Sequence, residues 1–364
     1  MAGSGHATDR IPIWAWAAPI VACALVVSMI AGILPHHPAF LALGALLLGA
    51  SVFAAVYHAE IVALKVGEPL GSIVLAIAVT VIEVALIVSI MIGANTASDE
   101  LARHTVFATI MIVLNGIIGL CLVVGGARYL EQSFQTSAAS IALSVLGTLA
   151  TITLVLPNYT MATSGPTYAT SQLIFVSLAS IALYGVFLFV QTVRHRYYFL
   201  TDTGEGASAP PPSNTIAALS LFFLIVALIA VVLLAKTLSP TLEAAINSAG
   251  LPQSFVGVVI AAIVLLPEGM AAVRAAIANQ LQTSLNLALG SAMATIGLTI
   301  PVVGAVSVAL DKSLTLGLHA AQMVLLILSL FIGTVTLATG RTTILQGAVH
   351  LVIFAVFLFL AAVP

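Results

Sequence analysis

Apolar residues in this chain come in long unbroken runs, separated by short polar punctuation. A bilayer core needs about 20 apolar residues per helix. That ruler predicts about eleven spanning helices, near 12–34, 38–57, 70–94, 104–127, 137–157, 170–193, 215–236, 253–275, 284–309, 314–338 and 342–363. The breaks carry turn or charge signals: Pro35-His36-His37-Pro38, Lys65-Val66-Gly67-Glu68-Pro69, Asp99-Glu100 with Arg103, and Asp311-Lys312. The longest polar stretch, Arg194 to Asn214, holds Arg194-His195-Arg196, Asp202, Glu205 and Pro210-Pro211-Pro212-Ser213. Its composition is that of a flexible, solvated linker. The predicted class is an all-α polytopic membrane protein. Its segments are 1–37 (N-terminal stretch and a leading helix), 38–193 (five helices), 194–214 (linker) and 215–364 (five helices).

Composition closes off the soluble alternative. Hydrophobic residues make up 61% of the 364 and charged residues 6%, against roughly 25% charged in soluble domains. Mean hydropathy is +1.22. The net charge of -2 offers no basic patch for nucleic acid. Cys23 and Cys121 both fall inside apolar runs, where they read as packing residues rather than a disulfide or metal site. Met1 to Arg10 leads into a run long enough to span, without a small-residue cleavage site. Counting Lys and Arg sets the expected orientation. With the N-terminus in the cytoplasm, seven of them (Arg10, Lys65, Arg128, Arg194, Arg196, Arg274, Arg341) fall inside and three (Arg103, Lys236, Lys312) outside. The expectation is an inner-membrane protein with its N-terminus cytoplasmic and its C-terminus outside.

In so apolar a chain each intramembrane charge is informative, because an ionised group in hydrocarbon is costly and points to function. Two segments repeat one pattern. Gly71 begins an apolar run that ends at Glu83, and Gly257 begins one that ends at Glu268. Each glutamate lies in the second span of its five-span group. An odd number of spans per group makes the two glutamate helices antiparallel. Inverted repeats with a site near the bilayer midplane are a recurrent transporter plan.

Several further residues join this pattern: His58-Ala59-Glu60 and Lys65 through Ser72 before Glu83, Phe255-Val256-Gly257 and Leu266-Pro267-Glu268-Gly269, then Asn279-Gln280, Gly290-Ser291, Pro301, Gly340-Arg341-Thr342, Gly347 and His350. In combination they resemble the cation/proton exchangers of the calcium/cation antiporter superfamily. The resemblance is nearest to the bacterial ChaA-type antiporters of Ca²⁺, Na⁺ or K⁺ against H⁺, and covers nearly the whole chain. It implies that Glu83 and Glu268 are the two essential acids. The chain departs from the family where many members carry Gly-Asn-Ala-Xaa-Glu: it has Val79-Thr80-Val81-Ile82 and Val264-Leu265-Leu266-Pro267 before its glutamates. Gly269 stands where a histidine is usual, and Ala294 where a glutamine is common. Na⁺ and K⁺ therefore stay open beside Ca²⁺.

Burial disfavours the charged form of a carboxyl group, so a glutamate in the membrane core holds a proton readily and releases it to an arriving cation. Two such groups hold two protons or one divalent ion, and that competition is exchange. Ca²⁺ takes about 6–8 oxygens, so other ligands are needed. Thr80 shares a helical face with Glu83. Pro267 cannot donate to the carbonyl one turn earlier, so a helix break there would free the Ile263 carbonyl, with Val264 beside it. Thr109, Ser291 and Thr295 offer hydroxyls, and Asn115 an amide. Each has a plainer reading: the hydroxyls can bond their own helices, Asn115 can join helices, Pro267 can be a simple kink. His350 is either a packed histidine or a proton relay, and His58, Glu60 and Glu68 read as interfacial. The leading function is a secondary antiporter working by alternating access. The alternatives are a channel or uniporter using the same acids, and an intramembrane enzyme. The latter lacks a His-Glu-Xaa-Xaa-His or paired-aspartate motif, so the chain is read as no enzyme. Expected partners are inorganic cations, protons and membrane lipid, with no cofactor; oligomeric state is not legible.

Overall fold

The structure is a computed structural model, and it describes residues 11–35, 37–67, 70–93, 100–199 and 211–364. Met1 to Arg10, His36, Glu68, Pro69, Asp99 and the linker residues Asp202, Glu205 and Pro210 lie outside the described residues. Among the described residues, ten helices are long and apolar enough to cross a membrane. They are α1 (Ile13–Ile30), α2 (Pro38–Val66), α4 (Leu101–Tyr129), α5 (Thr136–Tyr159), α6 (Thr170–Arg194), α7 (Asn214–Ser248), α8 (Ser254–Ile277), α9 (Leu281–Ala309), α10 (Ala320–Leu337) and α11 (Ile344–Ala362). A further apolar helix, α3 (Leu70–Gly93), carries Glu83. The chain is an all-α, polytopic membrane protein. Large apolar side chains such as Phe175, Phe331 and Leu345 face outward, as they must where hydrocarbon is the solvent and every backbone group has to be satisfied within a helix.

Three helices differ from the hydropathy reading. α2 runs to Val66 rather than ending near 57, because no breaker intervenes before Gly67, whose φ of 76° ends the helix. His58 and Glu60 are therefore helical and not part of a loop. α7 continues past Lys236 and Pro240 to Ser248. α10 starts only at Ala320, because the stretch before it is extended: Leu314, Leu316 and Leu318 are buried at alternate positions, and Thr315 bridges to Thr167. That spacing is a strand period rather than a helical one.

The chain divides into two compact units, Met1–Gly93 with Ala207–Ala245, and Ala94–Gly206 with Ile246–Pro364. In the first unit α2 packs against α1 and α3. A Cβ at Gly71 would stand 2.5 Å from the Ala63 carbonyl oxygen, so glycine is what lets α3 turn back this closely along α2. Leu234 and Leu238 of α7 lie over Gly44 of α2. Lys65 at the end of α2 donates to the Pro212 carbonyl at 3.0 Å.

In the second unit α8 packs against α4 and α9, α11 against α4, and α6 against α9. Gly257 does for α8 what Gly71 does for α3: a Cβ there would lie 2.8 Å from the backbone of His104 and Thr105 on α4. Two loop pairs hold the ends. β1 (Gln132–Ser133) pairs antiparallel with β2 (Arg341–Thr342), and Thr167 bridges antiparallel to Thr315. α4 widens into a π-turn over Ile112–Ile117 and α9 over Thr295–Thr299. Such turns concentrate at functional sites.

Candidate cation and proton site

In the first unit, Glu83 sits on α3 and is 1% exposed. The helix is apolar on every side, so this acid is placed by sequence alone in the hydrocarbon stretch; α3 packs against α2. Thr80 lies one turn earlier. Its hydroxyl is buried and has no hydrogen-bond partner among the described residues, and a hydroxyl left in that state costs stability unless something binds it.

In the second unit, Glu268 is partly buried and both its carboxylate oxygens are shielded from solvent. The expected break at Pro267 is not observed: α8 is helical without interruption from Ser254 to Ile277, with Pro267 buried inside it. The missing N–H removes a single hydrogen bond, and packing of α8 on α4 and α9 holds the turns on either side. Ile263 is half-buried and Val264 buried on this same helix. Of the candidate oxygen donors on neighbouring helices, Thr109 and Asn115 lie buried on α4, and on α9 Thr295 is buried and Ser291 half-buried. The Ser291 hydroxyl is buried and without a partner among the described residues. Thr295 opens the α9 π-turn.

Asn115 and His350 belong to one buried chain of hydrogen bonds. His350, 1% exposed, places Nδ1 3.1 Å from the Asn115 amide oxygen and Nε2 3.1 Å from the Thr336 hydroxyl. An amide oxygen only accepts, so Nδ1 donates, and Nε2 of a neutral ring then accepts from Thr336. The Asn115 amide nitrogen donates to the Ser329 hydroxyl at 2.8 Å, and Ser329 donates to the Leu325 carbonyl. The chain joins α4, at its π-turn, to α10 and α11. The Asn115 oxygen that would ligate a cation is thus engaged by His350. Ser329 and Thr336 escaped the sequence reading; their signal was the seven-residue spacing on α10, which puts both on one face.

Two further buried groups escaped it. His58, expected at an interface, is fully buried in α2, with Nε2 3.1 Å from the Ala15 carbonyl and its ring stacked 5.6 Å from Phe223. Arg103, read as punctuation, is 0% exposed. Its Nη1 donates to the Gly317 carbonyl at 3.1 Å. Its Nη2 lies 2.6 Å from Glu100 and 3.2 Å from Nε2 of both His104 and His319. The two N–H groups of Nη2 are shared among Glu100 and the two imidazoles, and Nη1 bonds the backbone, which offsets most of the cost of a buried charge, while Nε has no partner among the described residues. This cluster borders a cavity of 430 Å³ where Glu100, His104, Ser254, His319 and Gln322 meet. Glu60 is exposed on α2.

Known proteins resemble this chain in family and fold. The family described as sodium/calcium exchanger protein matches residues 36–193 and 219–363. A protein of Sinorhizobium fredii, y4hA, provisionally named an ionic transporter, is 56% identical over 361 residues, 98% of this chain and 97% of that one. The sodium-potassium/proton antiporter ChaA of Escherichia coli is 37% identical over 313 residues, covering 85% and 84%. Among solved structures, the Ca²⁺/H⁺ antiporter protein YfkE superposes with a TM-score of 0.72 at 16% identity, over 97% of this chain and 99% of that one. At that identity the likeness is one of fold.

Proposed function

The chain belongs to the sodium/calcium exchanger protein family, a family of transporters rather than enzymes, and from that premise we propose that it is a secondary antiporter in which Glu83 and Glu268 bind a cation or protons competitively. The observation that carries this reading is the pair of membrane-embedded glutamates, each with shielded carboxylate oxygen and each on the second helix of its group. A carboxylate in hydrocarbon must be neutralised by a proton or a metal ion. A group that accepts either, but not both together, couples their movement. Thr80, Ser291 and Thr295 are the supporting oxygens that fit best, because two of these hydroxyls have no competing partner among the described residues and Thr295 sits at a π-turn. Ile263 supplies a carbonyl that Pro267 cannot occupy. Val264 and Thr109 remain candidates at the same level of argument. Asn115 and His350 hold the α4 turn in place, and His350 relays protons only if its bonds to Asn115 and Thr336 are first broken.

The inverted five-helix repeats, 38–193 and 215–364, are part of this proposal. Support comes from a reciprocity inside the second unit. The loop after the third helix of one group pairs with the loop after the fourth helix of the other in both directions: β1 with β2, and Thr315 with Thr167. The π-turns of α4 and α9 fall in corresponding third helices, whereas those over Thr151–Val155 in α5 and Val190–Arg194 in α6 have no counterpart in α10 and α11. The excess of Lys and Arg toward one side of the membrane supports a cytoplasmic N-terminus and a C-terminus outside a bacterial inner membrane.

Inside-out vesicles with an imposed proton gradient and a pH-sensitive dye test the function. Addition of the true substrate among Ca²⁺, Na⁺ and K⁺ collapses the gradient. Glu83→Gln and Glu268→Gln each remove that response. Full exchange in either variant defeats the assignment, and cation entry with no dye response points to a channel instead.

A further inference from the structure

Between α4, α8 and α11 the second unit leaves a hollow of 710 Å³. Its walls are apolar, with Ile117, Leu120, Leu266, Met270, Leu351 and Phe354 among them. Leu120, Leu266 and Met270 are exposed, so the hollow opens on the surface of the unit. Among the described residues a single charged one lines it: Arg274, one turn beyond Met270 and near the end of α8. Other cations gather at that end. The Tyr129 hydroxyl donates to the Ile277 carbonyl at 2.7 Å and fastens the end of α4 to the end of α8. This brings exposed Arg128, whose guanidinium lies 5.6 Å from the Tyr129 ring centroid, to the same end. β2 places Arg341 there as well, opposite Ser133, and it pairs with Glu131 at 3.8 Å. Among the described residues neither Arg128 nor Arg274 has an ion pair.

We propose that this hollow is a binding site for one anionic phospholipid, an acyl chain lying along the apolar wall and the phosphate held by Arg274 and Arg128. An apolar trough of this kind gives water no polar partners but gives a hydrocarbon chain dispersion contacts along its length. Guanidinium groups match phosphate oxygens in a planar, charge-assisted fork. A lipid with a cationic headgroup group, such as choline, would bring its own positive charge toward the arginines, whereas a glycerol headgroup would not. The Lys and Arg count puts this end at the cytoplasmic leaflet, where anionic lipid and basic pockets between helices meet. Gly116 of the α4 π-turn and Gly269, next to Glu268, also line the hollow, so the bound chain touches the helix that carries the second acid.

The test uses the full chain, purified in a mild detergent and mixed with equal amounts of phosphatidylglycerol and phosphatidylcholine bearing the same acyl chains. Native mass spectrometry counts the lipid retained. The parent chain retains phosphatidylglycerol in roughly tenfold preference, the size of one charge-assisted hydrogen bond. Arg274→Gln, at an exposed position that folding does not require, brings that preference close to one. Met270→Trp, which fills the hollow and leaves the arginines in place, lowers retention of phosphatidylglycerol. Equal retention of the two lipids by the parent chain overturns the proposal. So does an unchanged preference in Arg274→Gln, or unchanged retention in Met270→Trp, since the lipid then binds elsewhere. None of these readouts depends on transport, so failure here leaves the exchanger reading untouched, and the reverse.

Discussion

Single residues in this chain matter in proportion to what surrounds them. Glu83→Asp keeps the charge but withdraws it by one methylene, so cation exchange falls while proton binding persists; a cation titration of the dye response, run beside Glu83→Gln, separates the two. Arg103→Met removes the donor for the Gly317 carbonyl and for His104 and His319. Leaving the buried Gly317 carbonyl bare costs about 1–3 kcal/mol, read as a lower Tm in detergent. The Glu100 share of that loss is small because its side chain is 47% exposed. Glu83 and Glu268 were legible from sequence because an acid inside an apolar run needs no neighbour to be conspicuous. His58, Ser329 and Thr336 were not, since a lone histidine or hydroxyl in such a run is ambiguous until its partners across other helices are known.

Helices meet here through small residues and a few polar ties. Gly257→Leu forces a side chain into the His104–Thr105 backbone of α4, and overpacking of that kind costs about 1–3 kcal/mol. Because the strain falls between the glutamate helix and its neighbour, the variant loses exchange more than it loses folded protein, which a comparison of transport with size-exclusion yield measures. Asn115→Ala severs α4 from both α10 and α11 at the π-turn. Interhelical hydrogen bonds in membranes average roughly 0.6 kcal/mol, so the drop in Tm is modest, while amide hydrogen exchange across 112–117 speeds up measurably. Element boundaries departed from the hydropathy reading at α2, which runs past 57 to the first breaker, Gly67. They departed from it at α10, because leucines at alternate positions are as apolar as leucines on a helix and only their pairing with another loop made them extended.

For the whole molecule the expected bookkeeping is charge. If Ca²⁺ exchanges against two protons, transport is electroneutral, and clamping the vesicle potential with K⁺ and valinomycin leaves the Ca²⁺-driven dye response unchanged. A response that scales with the clamp contradicts two protons per ion. Membrane residence, the all-α class and the place of the two acids along the chain were determined by sequence alone, because lipid admits only helices whose backbone is satisfied internally, and an acid stands out in hydrocarbon. The loop pairings, the π-turns, the unbroken course of α8 through Pro267 and the hydrogen-bonded commitment of Asn115 and His350 were decided only in the tertiary structure. Each depends on atoms far apart in the chain, and hydropathy, being a local property, carries no record of which helices will touch.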